Sequence, residues 1–89
     1  LGIWEQFLQS SEVKIMLYLS EQGEVRYSKF KGLVKSRATL DWALRELVNR
    51  ELIVRRVIDT RPIQTVYTLT LKGEQAVKHI KELIKIVFK

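Results

Sequence analysis

The chain has 89 residues, 46% of them hydrophobic and 29% charged, which is enough for one small core and too few for two ordinary domains. Its apolar runs are short and broken by Lys, Arg or Glu, so none approaches the roughly 20 residues that span a bilayer, and no stretch has the layout of a secretory signal. With no cysteine there are no disulfides, thiolate metal sites or thiol nucleophiles, which fits a cytoplasmic protein.

The net charge of +6 is unevenly placed. Residues 1–25 carry only Lys14 against Glu5, Glu12, Glu21 and Glu24, a balance of −3. Residues 26–61 hold ten bases against four acids, or +6, and residues 62–89 add +3. A basic centre beside an acidic end points to a face directed at a polyanion.

In chain order, Ile3, Trp4, Phe7 and Leu8 have the spacing of a short amphipathic helix over residues 1–9. Ser10 or Ser11 supplies the N-cap of the next helix, with Glu12 in its first turn. Val13, Ile15, Met16, Leu17 and Leu19 make that helix too apolar for the surface, and Gly23 ends it. Val25 to Tyr27 fits a short strand. Ser28 then caps a helix placing Phe30, Leu33 and Val34 on one face, although Gly32 weakens it by about 1 kcal/mol relative to alanine. Ser36 caps a further helix running to about Arg50. At 100° per residue Leu40, Leu44 and Leu47 fall within about 60° of one another, flanked by Ala43 and Val48, while Ala38, Trp42, Arg45 and Asn49 lie opposite.

Leu52 to Ile58 and Thr65 to Leu71 form a β-hairpin around a six-residue tip, Asp59 to Gln64. Thr70 caps a long final helix in which Ala76, Val77, Ile80, Leu83, Ile84, Val87 and Phe88 recur at spacings of three and four. No internal repeat or flexible linker interrupts this order. The predicted architecture is α+β and mostly helical: a winged helix-turn-helix, with a three-helix core and a β-hairpin wing, extended by a short N-terminal and a longer C-terminal helix. Residues 1–89 read as a single domain with its core at about 11–71.

That plan implies contact with duplex DNA, because the major groove admits one α-helix. Ser36, Arg37, Ala38 and Thr39 offer small side chains, free N–H groups and one guanidinium at a helix start, with Arg45 two turns along. Arg55, Arg56 and Arg61 are placed to follow the backbone, and Arg61 at the tip to enter the minor groove. Charge alone fits an ordinary solvated surface or a charged edge hairpin equally well; the order of the elements favours DNA. Trp42, opposite the leucine stripe, requires a partner: DNA, a second subunit, or the N-terminal helix. Asp41 repels phosphate, which concentrates contact on the first turn of this helix.

The apolar seam of the last helix, Ile80, Leu83, Ile84 and Val87, is longer than so small a core can cover. A homodimer interface, joined by Trp4 and Phe7, is one reading. A basic helix resting on a membrane is another, disfavoured because the acidic N-terminal part would be repelled by anionic lipid. No membrane partner and no cofactor are expected. His79 is the single histidine and has no second ligand at metal spacing, and phosphate-loop and nucleophile motifs are absent, so the chain does not read as an enzyme.

Two stretches, Lys35 to Val54 and Val66-Tyr-Thr-Leu-Thr-Leu-Lys-Gly73, give the sequence a family look. Together they resemble winged-helix transcription regulators of the broad MarR, ArsR and PadR kind, small archaeal members especially. The resemblance covers about Val13 to Val77. It implies a sequence-specific, dimeric regulator of double-stranded DNA, with Ser36 to Thr39 toward the major groove and Arg61 on the wing. It says nothing of operator or small-molecule effector. Two departures stand out: Glu51 occupies a position where many relatives have glycine, and the last helix is short beside the dimerisation segments of some families. The alternative is a winged-helix module that uses Trp42 and its basic surface to hold a protein partner.

Overall fold

In the computed structural model, which describes residues 10–88, the elements run α1 (Ser11–Gln22), β1 (Glu24–Arg26), a 3-10 helix (Tyr27–Gly32), α2 (Arg37–Asn49), β2 (Ile53–Ile58), β3 (Gln64–Leu69) and α3 (Leu71–Val87). The expected N-terminal helix, with Trp4 and Phe7, lies outside the described residues.

Local chemistry sets most of the boundaries. Ser10, not Ser11, caps α1: its Oγ accepts from the Val13 N–H at 3.3 Å. Gly23 closes α1 at φ 83, a conformation open to glycine, and its N–H donates to the Leu19 carbonyl at 2.8 Å. Ser36 and Thr70 cap α2 and α3 through the N–H groups of Thr39 and Gly73. Val13, Ile15, Met16 and Leu19 of α1 are all buried, as are Leu40, Ala43, Leu44 and Leu47 of α2. The predicted stripes therefore form the core.

The segment after β1 departs from expectation. It is a 3-10 helix, Ser28 does not cap it, and its cap position, Arg26, makes no side-chain capping bond. Three residues per turn put Tyr27 and Phe30 on one side. Phe30 is fully buried, its ring edge-on to Tyr18 and Tyr67 at centroid distances of 6.0 and 5.8 Å. That aromatic burial outweighs the capping preference of one exposed serine.

The three strands form an antiparallel sheet in the order β1-β3-β2. Val25 pairs with Tyr67, and Tyr67 with Arg55. Alternation turns Val25, Ile53 and Tyr67 toward the core and Glu24, Arg26, Val54 and Arg56 to the other face. Ile58 pairs with Gln64, so the hairpin tip is Asp59–Ile63, one residue shorter than predicted.

The end of α2, the start of β2 and the start of α3 meet at one junction. Glu51 leaves α2 with φ 60, a left-handed conformation that costs a β-carbon residue about 1–2 kcal/mol and favours glycine. The Thr70 hydroxyl donates to the Glu51 carbonyl at 2.6 Å while accepting from Gly73, and the Thr70 N–H donates to the Leu52 carbonyl at 3.0 Å. Lys72 Nζ reaches the Arg50 carbonyl at 2.9 Å. Gly73 is buried so close to Leu52 that a β-carbon would stand 2.1 Å from its carbonyl oxygen.

Beyond this junction α3 buries Val77 and Ile80. Ile80, expected on an intersubunit seam, thus belongs to the chain's own core, because α3 lies along α1 and its i, i+4, i+7 positions fall on that contact. Ile84 is half-buried against the same core, whereas Leu83 and Val87 are exposed, together with Ile86 and Phe88. No helix among the described residues is long and apolar enough to cross a membrane.

Gly73→Ala is expected to destabilise the fold by about 3 kcal/mol, at the upper end of overpacking costs, because the clash is with backbone and cannot be relieved by a rotamer. Urea denaturation followed by circular dichroism checks this: the midpoint should fall with little change in the slope.

Candidate nucleic-acid interface

The start of α2 is open to solvent. Lys35 to Thr39 are exposed, Ser36 Oγ accepts from the Thr39 N–H at 3.3 Å, and the N–H groups of Arg37 and Ala38 precede the first intrahelical donor, Leu40, which bonds to the Ser36 carbonyl. Exposed helix starts of this kind attract anions.

From that start a groove of about 730 Å³ runs between α2 and the wing. Arg37, Asp41, Arg45 and Asn49, spaced four apart, line one wall, and Arg55, Gln64 and Thr65 of the wing line the other. Arg26, Tyr27 and Ser28 close one end, and Pro62 and Ile63 approach from the hairpin tip. The groove thus gathers Arg37, Arg45 and Arg55 around one carboxylate, Asp41, with Arg26 bordering its end from a strand position that alternates to the other face of the sheet.

That carboxylate is held. The Tyr27 hydroxyl donates to Asp41 Oδ1 at 2.5 Å across the groove floor. The bond to Asp41, then partial burial, then the Asp41 charge raise the Tyr27 phenol above its ordinary value near 10, while Arg37 opposes the shift.

The residues expected to face DNA are therefore separated by the fold. Arg37, Arg45 and Arg55 share the groove, with Ser36, Ala38 and Thr39 at its α2 end. Arg61 is exposed at the tip. Arg56 is on the opposite face of the sheet, where its Nη2 pairs with Glu24 Oε2. Trp42 stands outside the groove lining on the outward face of α2 and is 53% exposed. His79 sits on the surface of α3, 3.8 Å from Glu82.

Sequence reasoning missed Arg26 and Tyr27, and treated Asp41 only as a repulsive charge. The Tyr27–Asp41 contact joins residues 14 apart in different elements, and no spacing rule reports it.

A three-helix core with a two-stranded wing and a basic groove between them defines a winged helix-turn-helix DNA-binding protein. The family model for HxlR-like helix-turn-helix proteins matches residues 11–89, and the chain belongs to that family. It is a DNA-binding transcriptional regulator, of the winged-helix type that the stretches within Lys35 to Gly73 resemble.

Solved structures agree on the fold. A transcriptional regulator homologue from Pyrococcus horikoshii is 20% identical at a TM-score of 0.76, over 86% of this chain and 78% of that one. The putative regulator ytfH of Salmonella typhimurium is 24% identical at 0.75, over 92% and 75%. A MarR family regulator from Silicibacter pomeroyi is 21% identical at 0.77, over 94% and 56%. No curated protein matches the chain.

The raised Tyr27 phenol has a fixed sign in stability. The folded state holds this proton more tightly than the unfolded chain, so the contribution is fully present below pH about 10 and is lost as pH rises through the folded value. Ultraviolet titration should show Tyr27→Phe removing a phenol that ionises above the ordinary value, and Asp41→Asn moving that ionisation downward.

Proposed function

We propose that the groove between α2 and the wing seats one sugar-phosphate strand of duplex DNA. In this reading Ser36, Arg37, Ala38 and Thr39 enter the major groove at the start of α2, and Arg61 carries the wing tip toward the neighbouring minor groove. The observation that carries it is the convergence of Arg37, Arg45 and Arg55 on one open groove flanked by an exposed helix start. Arginine forks suit phosphate, and a helix presented with a wing suits a groove and its adjoining backbone. Trp42, exposed beyond the groove, is then placed against a thymine methyl or the far backbone.

The reading extends to a homodimer acting on DNA in the cytoplasm, the 89 residues forming one domain. Leu83, Ile86 and Val87 lie at i, i+3 and i+4, and their exposure, with that of Phe88, supports a partner on the far end of α3. Leu83 and Val87, with Ile84 at the edge, remain the proposed interface; Ile80 is withdrawn from it.

Two measurements test these points. Fluorescence anisotropy of a labelled random duplex should weaken several-fold for Arg55→Ala, with the slope of log affinity against log salt reduced by about 0.9, whereas Arg56→Ala should change it little. Equal effects of the two variants would remove the groove from the interface. Light scattering should find the protein dimeric and Leu83→Asp monomeric, at unchanged helical content.

A further inference from the structure

Asp41 is an electrostatic misfit. It lies one helical turn after Arg37, in a groove whose other charged lining residues are all arginines. A carboxylate and an arginine four residues apart on a helix can reach each other. Such an internal pair would compete with phosphate for Arg37, because the same N–H fork serves either anion.

That pair is not formed. Among the described residues the ion pairs within 4.0 Å are Arg56–Glu24 and His79–Glu82. Asp41 instead accepts the short bond from the Tyr27 hydroxyl, reaching from the 3-10 helix, while Arg37, exposed at the groove wall, approaches the same Tyr27 oxygen closely enough to oppose its shift and makes no ion pair with Asp41. Ring burial against the core fixes where the hydroxyl stands, since Tyr27 is half-buried and packed on the core cluster. The donor that holds Asp41 is thus anchored by packing, not by a loose surface rotamer.

We propose that Tyr27 is a positioning residue for DNA binding: by engaging the Asp41 carboxylate it keeps the Arg37 guanidinium available to the nucleic acid. The inference rests on the groove being the duplex seat. It assigns Asp41 the part of an internal competitor, restrained in the wild-type chain and released when the hydroxyl is lost.

The consequence is conditional, and so is testable against simpler roles. Tyr27→Phe keeps the packed ring and removes only the donor. With Asp41 charged, the carboxylate should turn to Arg37, and affinity for a random duplex at 50 mM salt should fall roughly three- to tenfold, with the salt slope shallower by about 0.9 for one lost phosphate contact. In the Asp41→Asn background the same Tyr27→Phe change should do nothing, because no charged competitor remains. A hydroxyl that touched phosphate directly, or that merely supported the fold, would cost affinity in both backgrounds.

The experiment is a double-mutant cycle on the 89-residue chain. Anisotropy of a labelled random duplex is measured from 50 to 200 mM salt for wild type, Tyr27→Phe, Asp41→Asn, the double variant and Arg55→Ala. A loss confined to the single Tyr27→Phe variant, with the double variant matching Asp41→Asn, is the expected result. Losses of equal size in both backgrounds, or no loss in either, overturn the inference; if Arg55→Ala still weakens binding, the groove reading survives. Wild-type binding that is absent, or insensitive to salt and to Arg55→Ala, overturns the groove reading and the inference with it.

Discussion

The geometry of the basic groove hangs on one close backbone approach, that of Gly73 to the carbonyl of Leu52. Only a residue without a β-carbon lets the first turn of α3 come so near, and that nearness brings Thr70 within reach of Glu51. One hydroxyl then closes two contacts, capping α3 and tying it to the residue where α2 hands over to the wing. Because β2 starts at Ile53, immediately after this knot, the angle between α2 and the wing is set by the close backbone approach and the short Thr70 side chain that ties it. The width of the basic groove follows from that angle. The left-handed Glu51 is the local cost of turning the chain so sharply, and the Leu52 N–H bond to the Leu47 carbonyl helps offset it.

The sheet then sorts the charges. Strand alternation sends Arg55 to the α2 side and Arg56 to the other, and the same rule puts Glu24 on the Arg56 face. Two adjacent arginines therefore differ in office: one enlarges the field in the groove, and the other is largely cancelled by an acidic partner. Cancellation on the back and accumulation in the groove sharpen the asymmetry already present in the sequence, where residues 1–25 carry four acids against one base. Such a field steers a polyanion to one side of the molecule.

How much of this was legible in the sequence depends on the range of the interaction responsible. The caps at Ser36 and Thr70 are bonds over three residues and the stripe of α2 repeats within one turn, so residue order gives them, whereas for α1 it gives a buried helix and leaves the cap between Ser10 and Ser11. Residue order does not give the 3-10 helix, because the burial of Phe30 between Tyr18 and Tyr67 draws on three elements. Ile80 was misplaced for the same reason: periodicity locates the apolar face of α3 but not the point along it where the core ends. Arg55 and Arg56 were grouped although a period of two separates them, an inference the sequence did permit. The Tyr27–Asp41 bond and the approach of Gly73 to Leu52 were beyond any local rule, although the glycine itself stood in the motif that carried the family resemblance.

The position where the core ends on α3 bears on how two such chains would meet a duplex. A helix of 17 residues is about 25 Å long, and its first half is spent on the junction and on Val77 and Ile80. Apart from Leu71 at its start, its exposed apolar positions fall in the last two turns, continuous with the core through Ile84. A partner seated there would lie at the opposite end of α3 from the knot that orients the wing, so each α3 would act as a strut between subunit contact and DNA contact. Two-fold half-sites are read one helical turn apart, about 34 Å, and a rigid strut transmits that spacing only if its near end is fixed. The Gly73 contact supplies that fixed end. Under the proposed dimer, the same atoms that set groove width within one chain would also set the separation of the two recognition helices.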